Sequence, residues 1–433
     1  MTGIDIFLCK ADTFRKEVSA IFTSMTLIKK RWYLLVIACL INIAAGSIYA
    51  WSVFSPAKAA QMSQTLGTTV TAGELSIIFS VANAMCPVTM IFGGLIIDRI
   101  GPKLVTVAGG ILIALGLFGA GLSTTITELI FTYGILFGLG IGLVYGAVIS
   151  NTIKFFPDHR GLVAGLTTAS YSICAFFLPP IATALIANVG IVSAFEIFAL
   201  ALGGVIVLGG FLSMKCPENF QVSGFAFKSS TRYHSSREFS WRQMLKTPTF
   251  YCMFGFMICG SLAGMMIGSQ ATSIASEKIG LIGQAAALSV SIFALFNTFG
   301  RVIAGFISDW IGRFPTILAA SGLSVIGLLL LLIADSTCSS LFYASMLILG
   351  EAMGGFMGIY PAFTADEFGT VNNSTNYGFM FCACSISGFL GSGVVNYLKG
   401  VSNGYELPIQ GAVCVTLLGF GFAWLYWRFC RTN

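Results

Sequence analysis

Residues 94–103 read GLIIDRIGPK, and 211 residues later residues 305–313 read GFISDWIGR. Aligned, Gly94-x-x-x-Asp98-Arg99-x-Gly101 becomes Gly305-x-x-x-Asp309-Trp310-x-Gly312. Two further landmarks repeat at nearly the same distance. Gly138, Gly142 and Gly146 return as Gly350, Gly354 and Gly358, and Phe156 returns as Phe368, each at an offset of 212. Three landmarks that agree within one residue make the chain two copies of one design.

Composition says what each copy is made of. The chain is 56% hydrophobic and 9% charged, with a mean hydropathy of +0.88. Soluble domains carry about 25% charged residues. A bilayer needs about 20 apolar residues per helical crossing. That length predicts twelve helical spans: 33–54, 74–97, 104–123, 129–150, 161–187, 191–213, 249–272, 285–308, 315–334, 341–363, 375–397 and 407–428. The expected fold is an all-α membrane protein of two pseudo-symmetric six-helix bundles. Its parts are a cytoplasmic N-terminal segment (1–31), an N-terminal bundle (32–213), a polar, basic linker (214–248), a C-terminal bundle (249–428) and a short cytoplasmic tail (429–433).

Charge sets the orientation. If the N-terminus is cytoplasmic, nineteen Lys and Arg residues fall on that side and three (Lys58, Lys278 and Lys399) on the other. Cytoplasmic loops carry the excess of basic residues, so both termini are expected inside, in the cell membrane. The net charge of +6 is then a topology signal. The basic residues are spread over several loops, so no nucleic-acid partner is expected; the expected working unit is a single chain in the lipid bilayer. Residues 1–31 lack the layout of a cleavable signal peptide. Residues 14–31 could form an amphipathic surface helix or a flexible tail.

Chemistry other than transport finds little support. The twelve cysteines are scattered, without a C-x-x-C pair, and His159 and His234 are the only histidines. Metal sites want these residues clustered, so no metal is expected. No phosphate-cradling or cofactor fingerprint occurs, so neither an enzyme nor a cofactor is expected.

One residue breaks the apolar pattern. Arg301 lies inside 285–308, a stretch otherwise suited to the membrane interior. A guanidinium keeps its proton, and in hydrocarbon it needs a cavity or a partner. Its repeat mate is Met90, so the packing frame does not require a cation there. An anionic cargo is one reading; a salt bridge with Glu351, near mid-depth of the tenth span, is the other. Glu351 is also the candidate for proton coupling, since neither histidine lies deep in a span. Asn42 and Tyr49 are seven residues apart, and Tyr377, Phe381 and Cys384 follow i, i+4, i+7, so each set is expected on one helix face. With Tyr145 and Tyr360 they are candidate walls of a substrate site. The double proline at 179–180 predicts a bend in the fifth span.

The repeated motif has a mechanical reading. Gly94, Asp98, Arg99, Gly101 and Lys103, with Gly305, Asp309, Gly312 and Arg313, are candidate gating residues. An aspartate at such a turn can accept hydrogen bonds from the N–H groups of a nearby helix start, or pair with a base. The glycine ladders let neighbouring helices approach closely.

These residues also carry a resemblance. The motif, its echo and the twelve spans resemble the major facilitator superfamily. Within it, the segments GSIYAWSVF (46–54), FPDHRGLVAG (156–165), MLKTPTFY (244–251), PAFTADEFG (361–369) and NYG (376–378) are similar to those of the oxalate/formate antiporter family, whose wider kin are monocarboxylate transporters. The resemblance implies movement of small carboxylates by alternating access, with the arginine of the eighth span as carboxylate contact; Arg301 holds that place. The family's oxalate carrier also has a lysine in the eleventh span. No basic residue lies in 374–397, and the lysine's place falls near Cys384. A dianion with one cationic partner would bring an uncompensated charge into a poorly solvated site, at a cost of several kcal/mol. Monocarboxylates of the formate, lactate and pyruvate type are therefore expected, carried by antiport. Proton symport, oxalate/formate exchange and a non-transporting carboxylate sensor stand as alternatives.

Overall fold

The computed structural model describes residues 29–67, 69–71, 73–217, 220, 222, 238–402 and 404–432. Most of the N-terminal segment, with its candidate surface helix, and the middle of the linker lie outside the described residues. Every regular element among the described residues is helical. Among the described residues eleven helices are long and apolar enough to cross a bilayer: α1 (Lys29–Thr65), α2 (Ser76–Ile100), α3 (Pro102–Leu122), α4 (Ile126–Lys154), α5 (Arg160–Leu212), α6 (Pro248–Glu277), α7 (Gln284–Ile311), α8 (Arg313–Ile333), α9 (Ser339–Phe368), α10 (Asn373–Ser402) and α11 (Glu406–Phe429). Helices suit the bilayer because each satisfies its own backbone polar groups.

α5 spans 53 residues and departs from helical dihedrals only at Gly190 (φ 82°, ψ 168°). The fifth and sixth predicted spans are therefore two helical segments joined at one glycine, without a loop. The bend expected at Pro179–Pro180 is not where the helix breaks; both prolines stay helical. α1 also differs from expectation. It passes through a 3-10 turn at Gly46–Ala50 and continues well beyond residue 54. Ser55, Lys58, Gln61 and Ser63 dilute the hydropathy there, so an apolarity criterion ends the span too early.

The three lysines remote from the repeated motif explain themselves. Lys58, fully buried, donates to the Gly121 carbonyl (2.8 Å) in the last turn of α3. Lys278 donates to the Leu332 carbonyl (3.1 Å) and to that of Ala334, at the end of α8. α3 and α8 are repeat mates, and a cation suits a helix C-terminus. Lys399 pairs with Glu277 at 2.7 Å.

Within each half the glycine ladders set the packing. On α4, Gly138, Gly142 and Gly146 sit against Ala82, Cys86 and Met90 of α2. On α9, Gly350, Gly354 and Gly358 sit against Phe293, Asn297 and Arg301 of α7. Between the halves, α5 packs on α7 and α2 on α10. Gly101 (φ 94°) and Gly312 (φ 98°) make the matching turns α2–α3 and α7–α8, where a residue with a Cβ would be strained.

Candidate functional site

The ladder on α9 places Arg301. A Cβ at Gly358 would lie 2.8 Å from the Arg301 Cα, so α9 fills one side of the α7 backbone. The arginine side chain is directed between the halves, at 5% exposure. Its Nε donates to Asn297 Oδ1 (3.1 Å), one turn earlier on α7. Its Nη1 donates to the Thr168 carbonyl of α5, in the other half (2.9 Å). The Tyr49 hydroxyl interacts with the same guanidinium. Five N–H donors are available to an arginine, and these contacts leave part of the fork for a guest. Among the described residues no carboxylate pairs with Arg301, so the alternative ion pair with Glu351 is absent from this conformation. Glu351 is partly buried on α9, with its backbone against Gly300.

A chain of aromatic rings starts at Tyr49, beside the guanidinium. Tyr171 packs edge-on against Tyr49 (5.8 Å between centroids) and Tyr145 (4.8 Å). Phe381 reaches Tyr145 at 5.6 Å and Tyr377 at 5.8 Å, carrying the chain across to the other half. Tyr145, Tyr377 and Cys384 all lie within electrostatic reach of Arg301. The Tyr377 hydroxyl faces Tyr145 without a well-aligned hydrogen bond. The Cys384 thiol is 3.6 Å from Met357 Sδ.

Two candidates bind other carbonyls. Tyr360 is fully buried and donates to the Met253 carbonyl (2.9 Å), inside the C-terminal half. Asn42 donates to the Thr167 carbonyl (2.9 Å), and its Oδ1 is buried without a partner. A 3-10 turn at Gly46–Ala50 begins between Asn42 and Tyr49, and Asn42 holds the carbonyl next to the one that Arg301 uses.

The repeated aspartates reach across to the opposite half. Asp98 accepts from Ser374 N (3.3 Å), Thr375 N (3.1 Å) and Thr375 Oγ1 (2.8 Å) at the start of α10. Asp309 accepts from Gly161 N and Leu162 N (both 2.8 Å) at the start of α5. Each carboxylate thus meets the positive end of a helix in the other half, where unpaired N–H groups and the dipole favour an anion. Arg313 binds Asp309 (2.6 Å) and Asp366 (2.9 Å), and Arg160 crosses from α5 to Asp366 (2.7 Å). Lys154 lies 3.5 Å from Asp98 and donates to the Val371 carbonyl (3.1 Å). Arg99 and Lys103 are exposed and join no such contact with the other half; Lys103 lies over the Phe211 ring.

Asp366, Lys154 and Arg160 are absent from the candidates drawn from sequence, although the repeat contains a signal for them. Lys154 and Asp366 stand at matched positions, 212 apart, with opposite charge. Asn297, Thr168 and Tyr171 have no comparable signal, since their roles depend on side-chain direction and on a carbonyl.

Among the described residues, hydrogen bonds between halves run from the motif face inward through Arg301–Thr168 (2.9 Å) to Ser172–Thr298 (2.9 Å). This conformation is closed on the motif face. A side chain added at Gly94 would meet Thr375 N at 2.6 Å and Ser374 C at 2.7 Å, both backbone atoms that cannot yield. Gly94→Val is therefore expected to wedge that face open. Spin-label distances across it should lengthen relative to wild type, and an unchanged distribution would contradict the packing described here.

Repeated helical halves, a buried cation between them and reciprocal contacts on one face define a membrane transporter. The sequence matches the Major Facilitator Superfamily over residues 28–392, and the chain belongs to that family. It is 26% identical over 373 residues to the oxalate:formate antiporter of Oxalobacter formigenes, covering 86% of this chain and 85% of the relative. It is 25% identical over 326 residues to monocarboxylate transporter 12 of Xenopus laevis, covering 69% and 68%. Among solved structures, the fucose:proton symporter FucP of E. coli superposes with a TM-score of 0.68 at 13% identity, over 92% of this chain and 98% of that one. The proton:xylose symporter XylE superposes with 0.69 at 15% identity, over 93% and 96%. These likenesses establish the fold.

Proposed function

We propose that the chain is a secondary carrier of small monocarboxylates that exchanges one anion for another by alternating access. The observation that carries this reading is Arg301: a buried fixed charge between the halves, unpaired with any described carboxylate and with the Tyr49 hydroxyl against it. A carboxylate matches the guanidinium fork in geometry and cancels its charge. The relatives named as an oxalate:formate antiporter and a monocarboxylate transporter support the same substrate class. In this reading α5 supplies two spans, making twelve. The two bundles are 32–213 and 249–428, both termini and the motif face are cytoplasmic, and the monomer works in the cell membrane. The conformation is then outward-facing, with the cytoplasmic gate closed. In liposomes preloaded with formate or lactate, the purified protein is expected to take up the labelled anion only when a counter-anion is inside. Uptake indifferent to internal anion would contradict exchange.

Selectivity follows from charge. A dianion at Arg301 keeps one negative charge without a partner, and Cys384 offers none. Cys384→Lys adds a cation beside the guanidinium and is expected to improve oxalate or malonate uptake relative to formate by at least tenfold. An unchanged ratio would contradict this role for Cys384.

A second reading rests on Glu351, a partly buried carboxyl within α9. Proton symport through this group predicts that net uptake changes lumenal pH and that Glu351→Gln abolishes net uptake while sparing exchange.

A further inference from the structure

The helix starts that receive the two motif aspartates are themselves held from behind. Between α4 and α5, the turn carrying Phe156 and Asp158 is gripped by the residues that open α1. Arg31, 7% exposed, binds Asp158 with both nitrogens (2.7 and 2.8 Å). Its guanidinium lies 4.8 Å from the Phe156 ring centroid, and Trp32 packs edge-on against the same ring at 5.0 Å. Between α9 and α10, the turn following Phe368 is gripped by the residues that lead into α6. Glu238 accepts from Thr370 N (3.2 Å) and Val371 N (2.9 Å). Phe239 N donates to the Phe368 carbonyl (2.9 Å), and the Phe239 ring meets the Phe368 ring edge-on at 6.0 Å. The Phe239 carbonyl accepts from Asn372 Nδ2 (3.2 Å) and Asn376 Nδ2 (3.0 Å).

Phe156 and Phe368 are repeat mates, so the same device occurs twice with different chemistry. A cation grips a carboxylate in one half; a carboxylate grips backbone N–H groups in the other. In both, residues at or just before the start of a half's first helix tie down the turn just before the helix start that the opposite half's aspartate must reach. That helix start offers its N–H groups only while the turn holds its shape. An ordered turn lowers the entropy lost when the gate closes.

We propose that Arg31 and Glu238 are positioning residues for the two gate contacts, each acting through the turn that it grips. Glu238 presents the Ser374 and Thr375 amides to Asp98. Arg31 presents the Gly161 and Leu162 amides to Asp309. The consequence for transport, a bias toward the closed motif face, rests on the alternating-access reading; the contacts themselves do not.

Amide hydrogen exchange on the purified full chain, without substrate, tests the assignment, so an error about the cargo leaves the result readable. Glu238→Ala is expected to speed exchange about tenfold in the peptide spanning 369–376 and to leave 158–163 at the wild-type rate. Arg31→Ala should do the reverse. Glu238→Gln, which keeps one acceptor oxygen, should fall between. In an Asp98→Asn background, Glu238→Ala should add little, because the contact it serves is already lost. Faster exchange at both turns from either variant, no change at either, or full additivity with Asp98→Asn would overturn the proposal.

Discussion

Arg301→Ala is expected to abolish carboxylate exchange while the protein still folds. Truncating one partner of a buried, hydrogen-bonded charge pair costs about 2–5 kcal/mol, or ~30-fold to several thousand-fold in affinity. The protein loses little by the change. The repeat mate Met90 fills the matching place beneath Gly146 without any charge, and the contacts given up are one amide oxygen, one helical carbonyl and the Tyr49 hydroxyl. Arg301→Lys keeps the charge but not the planar fork and should retain partial exchange. Counterflow of labelled formate into proteoliposomes, read beside the melting temperature of each variant, checks both. Wild-type rates in Arg301→Ala would remove the arginine from the site.

The second large effect is expected from Asp366→Asn. Asp366 is 8% exposed and joins Arg160 of one half to Arg313 of the other. The amide keeps the shape and loses the charge, so the partly buried Arg160 and Arg313 each lose an ion pair, Arg313 keeping Asp309. Removing one member of a buried ion pair costs about 3–5 kcal/mol. Arg313 stays with Asp366 when the halves part, since both belong to the C-terminal half, whereas Arg160 does not. Much of the cost therefore falls on the closed conformation. Spin labels on the motif face of each half should report separated distances in a population raised about a hundredfold or more. The same distribution as wild type would show that the network does not hold the gate.

How much of this was legible in the sequence varies by element. The two-fold design followed from Gly94–Asp98–Gly101 and its echo, because those residues serve the same close turn in both copies and stay fixed in number. Helix positions followed from apolar runs, and failed where polarity and structure diverge. α1 outlasts its apolar stretch because Lys58 finds a carbonyl at the end of α3. α5 runs through two prolines and breaks at Gly190, since a proline in a packed helix can be accommodated and a glycine with positive φ cannot remain helical.

Arg301 stood out because a charge in an apolar run is rare. Helical spacing grouped Tyr49 with Asn42, and Tyr377 with Phe381 and Cys384; Tyr49 lies against the guanidinium, and Phe381 packs on Tyr145 and Tyr377. Tyr360 was not separable from them by spacing alone: its hydroxyl is spent on the Met253 carbonyl inside one half. A helix start and a basic side chain stood as alternative partners for the motif aspartate, and which helix start it meets was not foreseen. That choice depends on how the halves meet, and no local pattern encodes it.

The central claim is that a visiting carboxylate takes the guanidinium of Arg301. A high-resolution structure with formate or lactate bound tests it most directly. The account predicts both carboxylate oxygens on the Arg301 fork, with Tyr49 alongside and the bond to the Thr168 carbonyl given up or shared. A guanidinium still engaged only by Asn297 and Thr168, with the anion bound elsewhere, would contradict it.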